Sequence, residues 1–416
     1  MEKGRSSYSE VDAAIVAYKK SGRAFLRLMS ADVPLWGNVN TSMNRCLAHV
    51  ADEGWDYYPW SGSDWLSEYA KAVSNFEKNF RNVEFFPENL IPIPGSANGY
   101  QLLFNAVLEP GDEIVAIEPS HCVGSPCSFL WYLGAKVVQV PSVEDNGWEP
   151  DLEKLRSSVT DRTKFIMMDY PNNPTGAIYS DEARKAIVDI AGEHDIPILS
   201  DEIYGTILFD GNEAPSMASV AGDVPVIVLS SFSKLFAHPG WRIGYMGFHD
   251  PSEKMKQVID VCKSLALSYG HNTTTIAHPI LVAATRTLRE FTPAMQDLGA
   301  RTTVVKGAVA EAKEMLRNLQ LRRDYSFKRI SNMDGVHVVN AKATMYMFPR
   351  VEGVGKTWRS DEEFMVELSK EEGLAFDFGR FGKTGVGHFR TLLLPDIPTL
   401  TEVYDRLERF LKKHVI

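Results

Sequence analysis

Long apolar runs are missing from this chain. Nowhere in its 416 residues is there a stretch near the roughly 18 apolar residues that a membrane-spanning helix needs. Cysteine is scarce: Cys46, Cys122, Cys127 and Cys262 are the four present, and in a chain this long they give no disulfide framework. Cys122 and Cys127 are close in sequence, but no Cys-x-x-Cys pair or His-rich partner accompanies them, so no metal site is expected. The opening residues have no apolar core of the kind a secretion signal carries, and a reduced, cytoplasmic protein is the expectation. There is no Lys/Arg block either, and the formal net charge is −10. Such a surface repels nucleic acid and anionic lipid, which leaves a small molecule as the expected partner.

What remains is ordinary globular material, 44% hydrophobic and 24% charged, in a length that exceeds one hydrophobic core. The middle of the chain alternates short apolar runs with longer amphipathic stretches. The runs are Glu113–Glu118 (EIVAIE), Lys136–Val140 (KVVQV), Lys164–Asp169 (KFIMMD), Pro197–Asp201 (PILSD) and Val224–Ser230 (VPVIVLS). Between them, Glu182–Glu193 places Ala183, Ile187, Ile190 and Ala191 on one helical face. Such runs, separated by helices, indicate buried parallel strands with crossovers. A large α/β domain is therefore expected over residues 49–290. The last third reads differently, with long helical stretches at about 287–319, a strand-like run Ala343–Pro349 and a final amphipathic helix at about 400–414. Residues 1–48 and 291–416 together are expected to form a smaller α+β domain.

In a parallel sheet, ligands gather where loops leave the carboxyl ends of the strands. Polar clusters occupy those places here. Asn172-Asn173-Pro174-Thr175-Gly176 follows one run, Asp201-Glu202-Ile203-Tyr204 another, and Ser231-Phe232-Ser233-Lys234 a third, with Gly240-Trp241-Arg242-Ile243-Gly244 shortly after.

Each motif is weak alone, but NNPTG, DEIYG and SFSK followed by GWRIGY, in this order and spacing, resemble the class I and II aminotransferases. These are pyridoxal 5′-phosphate (PLP) enzymes of fold type I, so the resemblance implies a three-layer α/β fold with a mostly parallel central sheet. Upstream, Tyr57-Tyr58-Pro59-Trp60-Ser61-Gly62 is similar to that family's Y-x-P-x-x-G segment. Pro94–Ala97, with Glu109–Glu113, is similar to its phosphate-loop stretch. The likeness runs from about Leu28 to the C-terminus.

Carried over residue by residue, the resemblance implies a site. Lys234 stands where the family's Schiff-base lysine stands, and its amine, once freed, is placed to move a proton. Asp201 matches the carboxylate that keeps the cofactor's ring nitrogen protonated; read by itself it is also a good helix cap. Tyr204 and Asn173 match the groups bonded to the ring's 3′ oxygen. Arg242 and Ser231 match phosphate ligands, for which an arginine fork is suited, and the amides of Ser96 and Ala97 would open a helix, a natural anion site. Tyr57 matches a tyrosine that reaches the phosphate of a neighbouring subunit, implying a homodimer with shared active sites. Arg390 matches the arginine that grips the substrate α-carboxylate. Ala31 lies in a substrate-covering segment, Ser30–Asn38, at a place where glycine is common.

Two positions depart from the pattern. His121 follows Pro119-Ser120 where Tyr, Phe or Trp usually stacks on the ring; an imidazole stacks too, and can also donate a hydrogen bond or titrate. Asp377 and Phe378 occupy the place of a usual Pro-Gly pair. The implied activity is transfer of an amino group from an L-amino acid to a 2-oxo acid in two half-reactions, with 2-oxoglutarate as the acceptor. Ser268–Thr275, where aspartate-selective members carry a second arginine, has none, which favours a neutral or aromatic donor. Tyr269, His271, Trp36 and Trp60 are candidates to line its pocket. A PLP-dependent lyase or amino-acid oxidase shares the same Lys, Asp, Arg and Tyr set and is the alternative.

Overall fold

In the computed structural model, which describes residues 6–30, 32–37, 40–55, 64–124, 126–269, 276–291, 307–379 and 381–414, the apolar runs become strands of one sheet. Strand β1 (Leu26–Leu28) lies apart from it. The large sheet takes β2 (Leu90–Ile93), β3 (Glu113–Glu118), β4 (Lys136–Val143), β5 (Glu149–Pro150), β6 (Thr163–Asp169), β7 (Ile198–Asp201), β8 (Val226–Ser231) and β9 (Gly244–His249). Their order is β2-β9-β8-β7-β6-β3-β4-β5. The five central strands are parallel, β9 is antiparallel to β8 and β2, and β5 is antiparallel to β4.

Side chains alternate across a strand, and here both faces find apolar partners. Val115 and Ile117, Ile166 and Met168, and Val226 and Val228 join one core. Their neighbours Ile114 and Ala116, Phe165 and Met167, and Ile227 and Leu229 join another. Helices α1 (Ser6–Lys20), α2 (Thr41–Asp52), α3 (Asp64–Arg81) and α4 (Ser96–Val107) open the helical layers. Leu102 and Leu103 of α4, with Ile259 and Cys262 of the helix Lys256–Tyr269, cover the second face. Tyr69 and Phe76 of α3, Ile187 and Ile190 of the helix Asp181–Glu193, and Leu281 of the helix His278–Phe291 cover the first. This is why the strands read as continuous apolar runs. The helix Asp181–Glu193 starts where its sequence allows, with the Ser180 hydroxyl accepting from the amide of Ala183.

Five further strands follow: β10 (Val336–His337), β11 (Tyr346–Met347), β12 (Arg350–Val351), β13 (Leu374–Phe378) and β14 (Phe389–Leu392). Four strands form a second sheet in the order β1-β13-β14-β11, so the start of the chain pairs in parallel with its last third. Among the described residues, the long helical stretches expected at about 287–319 belong to two helices, His278–Phe291 and Ala308–Ile330, and one expectation needs correction. Of the strand-like run Ala343–Pro349 only Tyr346–Met347 forms a ladder, because Thr344 takes a left-handed conformation with φ 74° and its amide bonds the Ile207 carbonyl instead. Among the described residues, no helix is long and apolar enough to cross a membrane.

A buried ion pair fixes the sheet edge. The Arg81 guanidinium, at the end of α3, donates to Glu202 at 2.8 Å, with both side chains almost wholly buried. The other Glu202 oxygen accepts from Ser200 Oγ (2.9 Å), Ser216 Oγ (3.1 Å) and the Met217 amide (2.9 Å). Gly205 has to be glycine, since a Cβ there would lie 0.8 Å from Arg81 Nη1. Removing one partner strands a buried charge, so Arg81→Leu is expected to cost about 3–5 kcal/mol, read as a fall in the urea unfolding midpoint.

Candidate active site

The strands β3, β6, β7 and β8 end at one edge, and the segments leaving them wall a cavity of about 580 Å³. Lys234, Asp201, Tyr204, Asn173 and His121 line it, joined by Ser96 and Ala97 from α4, Arg242, and Arg390 from β14. One candidate stands back. Ser231 ends β8 with its hydroxyl accepting from the Ser233 amide at 3.2 Å, and it is Ser233 that reaches the wall. Tyr57 and Ala31 lie outside the described residues, as do Trp60 and His271. Trp36 and Tyr269 are described but do not line the cavity.

At one end the cavity is built for an anion. Gly95 precedes α4 with φ 87° and ψ 157°, a conformation that side chains resist. A Cβ on it would lie 2.4 Å from Arg242 Nη2. The Arg242 guanidinium is strapped beside the helix start by bonds to the carbonyls of Pro94 (2.8 Å) and Pro239 (2.9 Å). A helix start leaves its first amides without intrahelical acceptors and carries partial positive charge. With an arginine beside it, this end suits a phosphate.

At the other end, Arg390 and Asp377 are cross-strand partners, joined at 2.5 Å and both buried. Arg390 Nη1 donates to Asn173 Oδ1 at 2.9 Å. Its guanidinium carbon lies 4.2 Å from the ring centre of Tyr346 and 5.2 Å from that of Phe381. Two aromatic faces and two hydrogen bonds hold the fork in one orientation. The Tyr204 hydroxyl meets the Tyr346 hydroxyl at 2.6 Å, and Lys234 Nζ lies 6.0 Å from the Tyr204 ring centre.

The floor is acidic. Asp169 and Asp201 end adjacent parallel strands in direct register. Asp169 accepts from Ser120 Oγ (2.9 Å), the His121 amide (2.9 Å) and the Cys122 thiol. Asp201 accepts from Tyr100 Oη (3.0 Å) and the Ile203 amide (3.2 Å), and Tyr100 Oη also lies 2.5 Å from Cys122 Sγ. Burial, and for Asp201 the neighbouring Asp169, push both carboxyls above the usual carboxylate range. Burial likewise raises Cys122 and Tyr100. Cys122, Asp169 and Asp201 have metal-binding side-chain types within 4.8 Å of one another, but hydrogen bonds tie them to each other and to Tyr100.

Sequence reasoning missed Asp169, Cys122, Tyr100, Tyr346 and Arg27, all at the site. Asp169 had a signal, because it ends its apolar run as Asp201 ends the next. Arg27 of β1 and Tyr346 of β11 had none, since only the folded chain carries them to this edge.

The sequence profile described as "Aminotransferase class I and II" matches residues 53–406. The aspartate aminotransferase of Pyrococcus horikoshii is 30% identical over 376 residues, 90% of this chain and 87% of that protein. The aromatic-amino-acid aminotransferase 2 of Thermococcus litoralis is 29% identical, over 87% of this chain and 86% of its own. Among solved structures, the alanine aminotransferase from Pyrococcus furiosus superposes with a TM-score of 0.86 at 33% identity, covering 97% of this chain and 96% of that one.

The close approach at Gly95 is directly testable. Gly95→Ala displaces Arg242 and adds backbone strain of about 1–3 kcal/mol. Binding of inorganic phosphate, followed by calorimetry, is expected to weaken by about tenfold or more.

Proposed function

Because the chain belongs to the class I and II aminotransferase family, whose fold type I architecture it shares, we propose that it is a PLP-dependent aminotransferase acting on an L-amino acid and a 2-oxo acid. The observation that carries this reading is the convergence of Lys234, Asp201, Arg242 and Arg390 on one cavity.

The residues present fit PLP. A cavity of about 580 Å³ is within the size of small-molecule sites. The glycine cradle at Gly95 beside Arg242, with the amides of Ser96 and Ala97, would take the phosphate, Ser231 supporting the turn behind. Asp201 would face the ring nitrogen, Tyr204 and Asn173 the 3′ oxygen, His121 the ring face, and Lys234 the aldehyde. When bound, PLP supplies an aldehyde for amines and a ring that withdraws electrons from the bond being broken.

The protein's own groups do the rest. Lys234 Nζ, at the cavity wall, is the base that carries a proton between substrate carbon and cofactor. Arg390 binds the α-carboxylate through its fork and, being fixed by Asp377 and Asn173, sets which bond of the α-carbon faces Lys234. Tyr57 of a second copy would complete the phosphate site, so a homodimer with shared active sites is part of this proposal. So are a cytoplasmic location, a large domain over 49–290 and a small one over 1–48 and 291–416, with Ala31 in a segment covering the substrate.

For the side-chain end of the pocket, the wall offers Arg27 and Asp32 together. Arg27 is half exposed and lies 3.5 Å from Asp12, so its charge is shared rather than dedicated. A neutral or aromatic donor fits such a wall, and Arg27 is the cation that the second carboxylate of 2-oxoglutarate would meet.

The experiment is a spectroscopic donor panel. The purified protein, loaded with PLP, is expected to show a visible band that Lys234→Ala abolishes. One L-amino acid alone should shift the band and 2-oxoglutarate should restore it, while Arg390→Leu raises the donor KM by about a hundredfold. A band that persists while ammonia accumulates would instead identify a lyase or oxidase, the reading that His121 in the wall keeps in view.

A further inference from the structure

Beside Asp201 in the cavity wall lies a second carboxyl, Asp169, to which the proposed reaction gives no role. We propose that Asp169 is a positioning residue for that reaction: a second carboxylate, its charge fixed by three donors, that keeps a proton resident at Asp201 for the ring nitrogen of the bound cofactor. The inference rests on reading the cavity as the PLP site.

The register between β6 and β7 sets Asp169 directly beside Asp201, at the strand spacing of about 4.8 Å. Both side chains are buried in the cavity wall, at 4% and 7% exposure. Two carboxylates so placed do not both ionise without cost, and one proton belongs to the pair. The donors decide which partner keeps the charge. Asp169 collects a hydroxyl, an amide and a thiol, while Asp201 has one hydroxyl and one amide, at 3.0 and 3.2 Å. Hydrogen bonds to the charged form favour it, so the anion sits on Asp169 and the proton on Asp201.

The groups around the pair do not compete for this proton. From α4 comes Tyr100, from the turn after β3 Cys122 and Cys127, and from the segment after Gly176 Tyr179. Burial raises all four, so they stay neutral. His121 adjoins through its amide, Glu202 is tied to Arg81, and Lys234 lines the same cavity. When a pyridine nitrogen meets Asp201, the proton moves from Asp201 Oδ to that nitrogen, leaving a carboxylate against an N–H cation, with Asp169 still anionic behind it. The added negative field holds the proton on the ring more firmly than Asp201 by itself. An asparagine at position 169 would keep the shape and lose that field.

The test counts protons. Pyridoxamine phosphate, which cannot react with Lys234, is titrated into cofactor-free protein at about pH 6, in buffers of different ionisation heat. The wild type already holds the proton, so Asp169→Asn is expected to take up about one more proton per site on binding, and Asp169→Glu to behave as wild type. An infrared difference spectrum of the wild type supplies a measurement free of any variant. A protonated-carboxyl stretch should be present without ligand and lost when pyridoxamine phosphate is added. With PLP loaded, the pH midpoint of the visible band should fall by about one unit in Asp169→Asn, the sign expected when a nearby negative charge is removed. Equal proton counts together with no carboxyl stretch would overturn the proposal while leaving the cofactor site intact. Failure of the wild type to bind pyridoxamine phosphate or to develop a visible band with PLP would overturn the site reading and this inference together.

Discussion

The register of β6 on β7 is the constraint from which the site follows. A slip of β6 by one residue would turn its last side chain to the opposite face of the sheet. Asp169 and Asp201 would then point into separate cores rather than together into one cavity wall. The register is held by apolar alternation on both faces, and the next residue in line, Glu202, is clamped by Arg81 from a helix. Placing a full ion pair behind the site puts a costly buried charge where it locks the strand end that carries Asp201.

Charge at this site is distributed in pairs. Arg242 is aimed by backbone carbonyls, which orient it without cancelling its charge, and it stays open to a strong anion. Arg390 is aimed by a carboxylate, which fixes it firmly and also tempers it. A dianionic phosphate meets the untempered cation, and the singly charged carboxylate meets the tempered one. The floor between them is negative, so a cofactor with an anionic tail and a protonated ring meets matching potential at each end.

The departures from the family pattern are linked through Asn173, whose carbonyl accepts from the His121 amide and whose side chain accepts from Arg390, the partner of Asp377. His121 has its amide on Asp169, the next residue is the cysteine whose thiol bonds the same carboxylate, and Asp377 is the partner of Arg390. Seen singly they are odd residues at unrelated positions. In the folded chain His121 belongs to the acidic floor and Asp377 to the carboxylate grip.

Much of the architecture was legible beforehand, because a strand buried on both faces has to be apolar throughout and an amphipathic helix has to show its stripe. The runs ending at Glu118, Asp169, Asp201 and Ser230 announced both the strands and the edge where polar loops gather, and the motif residues Lys234, Asp201, Tyr204, Asn173 and Arg390 do meet there. Thr344 defeated the reading of Ala343–Pro349, since a positive φ leaves no trace in an apolar pattern. Local order along the chain therefore determined which residues would sit at strand ends. Only the tertiary structure decided which strand ends are neighbours: it set Asp169 against Asp201, Asp377 against Arg390, and Arg27 from the start of the chain into the same wall. Register and sheet order are fixed by packing between segments far apart in sequence, and no single segment encodes them.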